Sequence, residues 1–416
     1  MTGLFNVLAL LYIGRAIQLA IHIGRRWDEL RQEPLTRAKQ HLAEQAAFFV
    51  AVPPSVLVHE FAHALAVWLF GGQVVEFGYR VFWGYVRATG TFTPFQAWFI
   101  ALAGTLGSLA FGAAIWFLLR PQSSRTLRYF GLRAFRFQIY FSLLYYPIFS
   151  LFLPIGDWRT IYDFAATPLL SGVTAVIHVA LLVWFYRADR AGAFEIPAFD
   201  SLAAQNRYVA LTASGDPTAR LQAVQMLRQG GAAHQARREL DRFLIEYPQS
   251  ADGHLQRALL LAQGHGTVGS PVVGSAQRAL ALGLARPDDT ALARRLVALA
   301  ALERGDGRAA ERELDAALSP TANYNPEELS VVMQAELHSL RAQALRRQAR
   351  YEDAYRAAGA ALKLAEEAGM VEVAQRCRAE QELIQTHAGR DLSALAGENE
   401  TLVALPGMKP DPDSRL

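Results

Sequence analysis

Cysteine is almost absent: Cys377 is the only one in 416 residues. One thiol excludes an intramolecular disulfide framework and any zinc cage built from cysteines. An excess of one charge is also missing. The 41 Lys and Arg stand against 38 Asp and Glu, a net of +3, and no basic cluster is interleaved with stacking aromatics. No nucleic-acid partner is therefore expected. The N-terminal apolar segment lacks a basic region before it and a small-residue cleavage site after it, which argues against a cleavable signal peptide. Long stretches of the first half also lack charge altogether. Residues 1–199 hold 16 basic and 10 acidic residues, and 95–119 hold none. Residues 200–416 carry charge every few positions among abundant Ala and Leu. The contrast predicts a membrane domain at 1–190, a charge-rich domain at 200–388 and a disordered tail at 389–416.

A helix needs about 20 apolar residues to cross a bilayer core. Segments 45–70, 95–119, 134–153 and 165–186 meet that length, and 3–23 is a fifth candidate interrupted by Arg15 and Gln18. The expected fold class is all-α: a polytopic membrane helical bundle of about five spans, plus an α-helical repeat solenoid. The lipid bilayer is thus an expected partner.

The segment from Gln45 to Phe70 has three titratable side chains, His59, Glu60 and His63. This is H-E-x-x-H. Positions i and i+4 lie one above the other on a helix, so both imidazoles reach one Zn²⁺, and Glu60 flanks the site as a general base. An ionisable group at a bilayer centre costs about 3 kcal/mol on insertion scales. Three of them in one apolar span need compensation, and metal ligation provides it. Pro53-Pro54 kinks or starts the helix just before the site. A catalytic zinc takes three protein ligands and keeps one position open. Between Phe61 and Tyr186, besides His63, the remaining choices are Glu76, Asp157, Asp163 and His178. Asp157 ranks first, directly after an apolar run, with Gly156 beside it for close backbone approach. Asp163 ranks second. Glu76 reads as a solvated loop residue, and His178 as a hydrogen-bond partner of a neighbouring helix.

These residues resemble the site-2 protease family of intramembrane zinc metalloproteases over roughly residues 43–165. His59-Glu60-Phe61-Ala62-His63-Ala64-Leu65-Ala66 is similar to the family's metal helix. Ala103-Gly104-Thr105-Leu106-Gly107-Ser108 resembles the small-residue stretch of the next span, and Phe149 to Asp157 the run ending in the aspartate ligand. The resemblance implies Zn²⁺ held by His59, His63 and an aspartate, and cleavage of a membrane-protein substrate in or near its transmembrane segment. The chain departs from the family in three places. Trp158 follows the aspartate where glycine is usual, the spacing from Leu153-Pro154-Ile155 is shorter, and Ser150 stands near a common asparagine position.

Residues 71–92 read as a β-hairpin or as an interfacial loop with an aromatic belt. Phe77, Tyr79, Val81, Trp83 and Tyr85 alternate, and Gly84 is a bulge or close-approach position. Family members similarly place a membrane-dipping hairpin here. Its open edge could hold an extended substrate by main-chain hydrogen bonds.

In the second half, residues 303–318 resemble 346–362, and Arg-Glu-Leu-Asp recurs at 238–241 and 312–315. Leu244, Leu282, Leu318 and Leu362 mark a spacing of 38, 36 and 44 residues. The pattern resembles a degenerate tetratricopeptide array, which offers a groove for a peptide or protein partner or serves as a plain scaffold. Loops 25–42 and 120–136 hold five Lys and Arg each, against two in 71–94 and one in 154–165. That bias places the repeats in the cytoplasm of a cell whose inner membrane holds the spans, a bacterium being expected. Family resemblance points to the opposite orientation. The chain is accordingly expected to be a zinc metalloendopeptidase with recruiting repeats. The alternative is an inactive membrane scaffold or receptor acting through those repeats. A zinc transporter is disfavoured, since so few intramembrane polar groups cannot line a pathway.

Overall fold

The computed structural model describes residues 2–81, 83–152, 156–263, 268–321 and 324–395. The chain forms two compact units, Met1–Arg238 and Glu239 onward. The first begins with α1 (Thr2–Arg25), α2 (Trp27–Arg31), α3 (Arg37–Phe49) and α4 (Val52–Leu69). The hairpin β1 (Gln73–Tyr79) and β2 (Gly84–Thr89) follows, then α5 (Pro94–Leu119) and α6 (Arg125–Tyr140). A π-helical turn, Phe141–Tyr145, joins α6 to α7 (Tyr146–Phe152), ahead of α8 (Asp157–Ile161) and α9 (Pro168–Arg190). The unit closes with α10 (Leu202–Ser214), α11 (Pro217–Gln229) and the start of α12 (Ala233–Glu246).

Among the described residues, Arg37–Leu69, Pro94–Leu119 and Pro168–Arg190 are long and apolar enough to cross a membrane by length and composition. The protein is an integral membrane protein. The described residues of the segments expected to span at 3–23 and 134–153 are helical, but neither segment is among those three. In α1 the Arg15 guanidinium donates to Gln18 and, at 2.7 Å, to Gln45 on α3. The second segment is interrupted by the π turn.

Local chemistry sets the ends of these helices. Pro53 and Pro54 lack the N–H groups that would continue α3, so the chain breaks at Val50–Ala51 and α4 restarts with both prolines in its first turn. The prolines thus start α4 rather than kink it. Thr93 and Gln96 form a reciprocal capping box ahead of Pro94 on α5. The buried face of α5 is made of Ala101, Ala103, Gly104, Thr105, Ser108 and Gly112. Such small side chains let α4 and α6 approach its backbone closely. On α4, Leu57, Phe61, Leu65 and Leu69 recur every four residues and are 45–70% exposed. That stripe is the lipid-facing side, opposite buried Glu60 and His63.

The hairpin pairs Phe77 with Val86 and Tyr79 with Gly84 in antiparallel register. Its turn closes through Arg80 N–H to the Trp83 carbonyl at 2.8 Å, and the bulge lies between Val74 and Glu76, not at Gly84.

After α9 the chain is laced back onto the first unit. Phe199 N–H donates to the Leu35 carbonyl and Ala198 N–H to that of Gly230. Gln40 Nε2 donates to the Ile196 carbonyl at 3.1 Å. The Glu195 carboxylate accepts from the backbone N–H groups of His234 and Gln235 and from the His234 ring, capping α12 where its free N–H groups and dipole favour an anion.

The second unit comprises the rest of α12, α13 (Ala251–Gln263), α14 (Ser270–Leu282), α15 (Pro287–Glu303), α16 (Gly307–Leu318), α17 (Val331–Arg347), α18 (Tyr351–Glu367) and α19 (Val371–Ala388). From α13 on, each helix packs on the next, and α13, α15, α17 and α19 also touch in series. This is helical-repeat packing. The marker leucines fall on alternate helices: Leu244 on α12, Leu282 on α14, Leu318 on α16 and Leu362 on α18. Ala fills the contacts, with Ala291, Ala298, Ala310, Ala317 and Ala344 fully buried around Leu314 and Leu337. Leu392 is buried and packs with Leu395 on the last helices. The rest of the expected tail, 396–416, lies outside the described residues.

Candidate metal centre

His59, Glu60 and His63 come from consecutive turns of α4. Asp157 begins α8, which packs on α5. The Asp157 Oδ2 atom lies 3.1 Å from His59 Nε2 and 3.1 Å from His63 Nε2, and the two Nε2 atoms are 3.1 Å apart. Three ligand atoms therefore form a nearly equilateral triangle.

The outer contacts fix which ring nitrogens face inward. His63 Nδ1 sits 2.7 Å from the Ile100 carbonyl, which can only accept, so Nδ1 carries the proton. In neutral His63 the lone pair then lies on Nε2. His59 Nδ1 is 3.1 Å from Ser108 Oγ, an equivalent outer contact. Two imidazole lone pairs and a carboxylate oxygen pointing at one place repel one another unless a cation lies between them. A Zn²⁺–N or Zn²⁺–O bond of about 2.0–2.1 Å in tetrahedral geometry spaces its ligands by about 3.3 Å. The donor set suits that ion, and the imidazole-to-carbonyl contact is the usual outer support of a metal-binding histidine.

Two glycines make room for the site. A β-carbon at Gly104 on α5 would overlap His63 Nε2 and lie 2.6 Å from His59 Nε2. A β-carbon at Gly107 would lie 2.7 Å from Ala62 Cβ. The stretch Ala103–Ser108 thus supplies the clearance for both rings and the hydroxyl beside His59. Gly156 has φ of +114°, which lets the chain turn sharply into Asp157. The Leu153-Pro154-Ile155 part of the expected motif lies outside the described residues.

Glu60 does not point into the ligand triangle. It is buried, and a β-carbon at Gly84 on β2 would overlap its Cγ atom and lie 2.7 Å from Cδ. It lines a cleft of about 890 Å³ with His63, Asp157, Tyr146 and Ser150, walled on one side by β2 from Gly84 to Ala88.

The other sequence candidates lie elsewhere. Asp163 Oδ1 accepts from Ala165 and Ala166 N–H, capping the turn before α9. Glu76 accepts from the Tyr85 hydroxyl and pairs with Arg87 at 3.1 Å on the exposed hairpin. His178 bonds the Leu143 carbonyl at 2.6 Å and the Tyr162 hydroxyl, the role between neighbouring helices expected for it. Tyr146 carried no signal in the sequence, because it is one aromatic in an aromatic-rich apolar run. Its hydroxyl lies 2.9 Å from Asp157 Oδ2.

No curated protein matches the chain. Residues 53–190, from the first turn of α4 to the end of α9 and including His59, Glu60, His63 and Asp157, match the family model described as Peptidase M50B-like.

Proposed function

We propose that the chain is an intramembrane zinc endopeptidase of the site-2 protease type. Its substrate would be a membrane protein cut in or near a transmembrane segment. The observation that carries this reading is the convergence at 3.1 Å of two histidine nitrogens from an apolar span and an oxygen of Asp157 on α8, with the buried Glu60 carboxylate one residue from His59. His59, His63 and Asp157 would hold Zn²⁺, and Glu60 would act as general base. The ion supplies Lewis acidity, which polarises a carbonyl and makes water nucleophilic near neutral pH. Glu60 takes a proton from the attacking water and passes it to the leaving amine nitrogen, so that water adds across the peptide bond. Gly84 packs against that carboxylate, and β2 from Gly84 to Ala88 lines the cleft, where an extended peptide could lie along the strand.

We further propose that the helical repeats, read as tetratricopeptide-like, recruit the substrate or a partner protein. On the Lys/Arg bias they face the cytoplasm. A cytoplasm-active reporter fused to the chain should work on the repeat side, and activity of only an exported reporter would reverse that orientation. The function itself is tested by metal analysis combined with substrate processing. Wild type should hold about one Zn²⁺ per chain. Glu60→Gln keeps the ligands and nearly the same shape but cannot accept the proton. General-base assistance is worth 10²–10⁴-fold, so the variant should be metallated and nearly inactive. Processing by Glu60→Gln at the wild-type rate would discard the protease reading in favour of the scaffold.

A further inference from the structure

One phenol makes two contacts with a single residue at the metal centre. The Tyr146 hydroxyl donates to Asp157 Oδ2 at 2.9 Å and accepts the Asp157 backbone N–H at 3.1 Å. A phenol has one proton to donate, and here it goes to the oxygen that faces both histidines. The other carboxylate oxygen receives nothing from Tyr146. An aspartate's χ2 is broad and roughly two-fold, so an unheld carboxylate presents either oxygen, or both, to a cation. Presenting both would fill the position that a catalytic site keeps open.

The fold brings Tyr146 there by an identifiable device. The π turn at Phe141–Tyr145 ends immediately before it. One extra residue in a turn shifts the phase of the following helix by about 100°, and such turns recur at functional sites. The ring is held independently of the hydroxyl. It stacks on Phe141 at 6.2 Å and meets His59 edge-on at 5.8 Å.

We propose that Tyr146 is a positioning residue for the metal centre, fixing Asp157 so that Oδ2 alone faces the ion. This rests on the zinc-site reading above. Tyr146→Phe keeps both ring contacts and removes only the hydroxyl, which separates positioning from packing. Loss of an outer partner of a metal ligand costs 10–100-fold in affinity or activity. Purified full-length Tyr146→Phe should therefore bind Zn²⁺ about 10–100-fold more weakly in chelator competition. The visible absorption of its Co²⁺ form should also differ from wild type, reporting an altered ligand arrangement. Phe141→Leu loosens the ring but keeps the hydroxyl, and should match wild type in both measurements. Unchanged zinc affinity and an unchanged cobalt spectrum in Tyr146→Phe would overturn the proposal, as would equal losses in both variants. Wild-type chain that binds neither metal would overturn the zinc-site reading itself, an outcome distinct from the other two.

Discussion

Gly84 of the hairpin lies flat against Glu60 of α4. A β-carbon there would overlap Glu60 Cγ and lie 2.7 Å from Cδ. The strand and the proposed base are therefore one packed element, although 24 positions separate them in the chain. Gly84→Ala should displace the carboxylate or the strand. Overpacking of this kind costs about 1–3 kcal/mol, so processing should fall about 10- to 100-fold. Zinc content should stay at the wild-type level, because no ligand is touched. Wild-type turnover in Gly84→Ala would show that Glu60 is not held from the strand.

Gly104 should give the opposite pattern. A β-carbon there meets both proposed histidine ligands. Gly104→Ala should lose most bound zinc along with activity, while the α5 helix, relieved of a glycine, still forms. Full zinc retention would place the metal away from the Nε2 atoms.

The two aspartates can be separated directly. Asp157→Ala should strip zinc, whereas Asp163→Ala should keep it and lose only a turn cap worth roughly 1 kcal/mol. Zinc analysis of the two variants side by side decides the matter, and the reverse ranking would transfer the ligand role to Asp163.

Much of this candidate site is legible in the sequence, for physical reasons. His59, Glu60 and His63 stand out because ionisable groups in an apolar span demand an explanation. Asp157 stands out because few acids are available to complete the set. Tyr146 did not stand out, since its role depends on a π turn that aromatic-rich sequence conceals. Gly84 was readable as a close-approach position, but what approaches it is a long-range fact. The spans were less legible. Hydropathy alone weighs 134–153 as one segment, while the chain breaks it into α6, the π turn and α7. The repeats were visible through their leucine spacing, because helix pairs must place the same side chain at the same contact in every turn of the array.

A pH effect is expected in the repeat unit, away from the metal. His338 on α17 is half-buried, and its Nδ1 has no hydrogen-bond partner among the described residues. Burial, and then the neighbouring Arg341 charge, push its pKa down to about 4 from the usual value near 6.5. The unfolded chain therefore binds a proton that the folded chain refuses between those two values. Stability is fully present above pH 6.5 and is lost as pH falls towards 4, by about 1 kcal/mol between pH 6.5 and 5.5. Hydrogen exchange of α17 in the full chain should accelerate over that range, and His338→Gln should flatten the response. Identical pH dependence in both proteins would remove His338 as the cause.

The lacing of residues 195–199 onto Leu35, Gln40, Gly230 and the head of α12 decides where this protein can be cut. A fragment ending at Arg190, where the last apolar helix stops, would leave the Leu35 carbonyl and the Gln40 amide without their partners. A fragment running through Arg238 would retain every one of those bonds. Deletions meant to ask what the repeats contribute should therefore begin at Glu239. A deletion from residue 200 would confound the loss of a recruiting surface with damage to the membrane part itself.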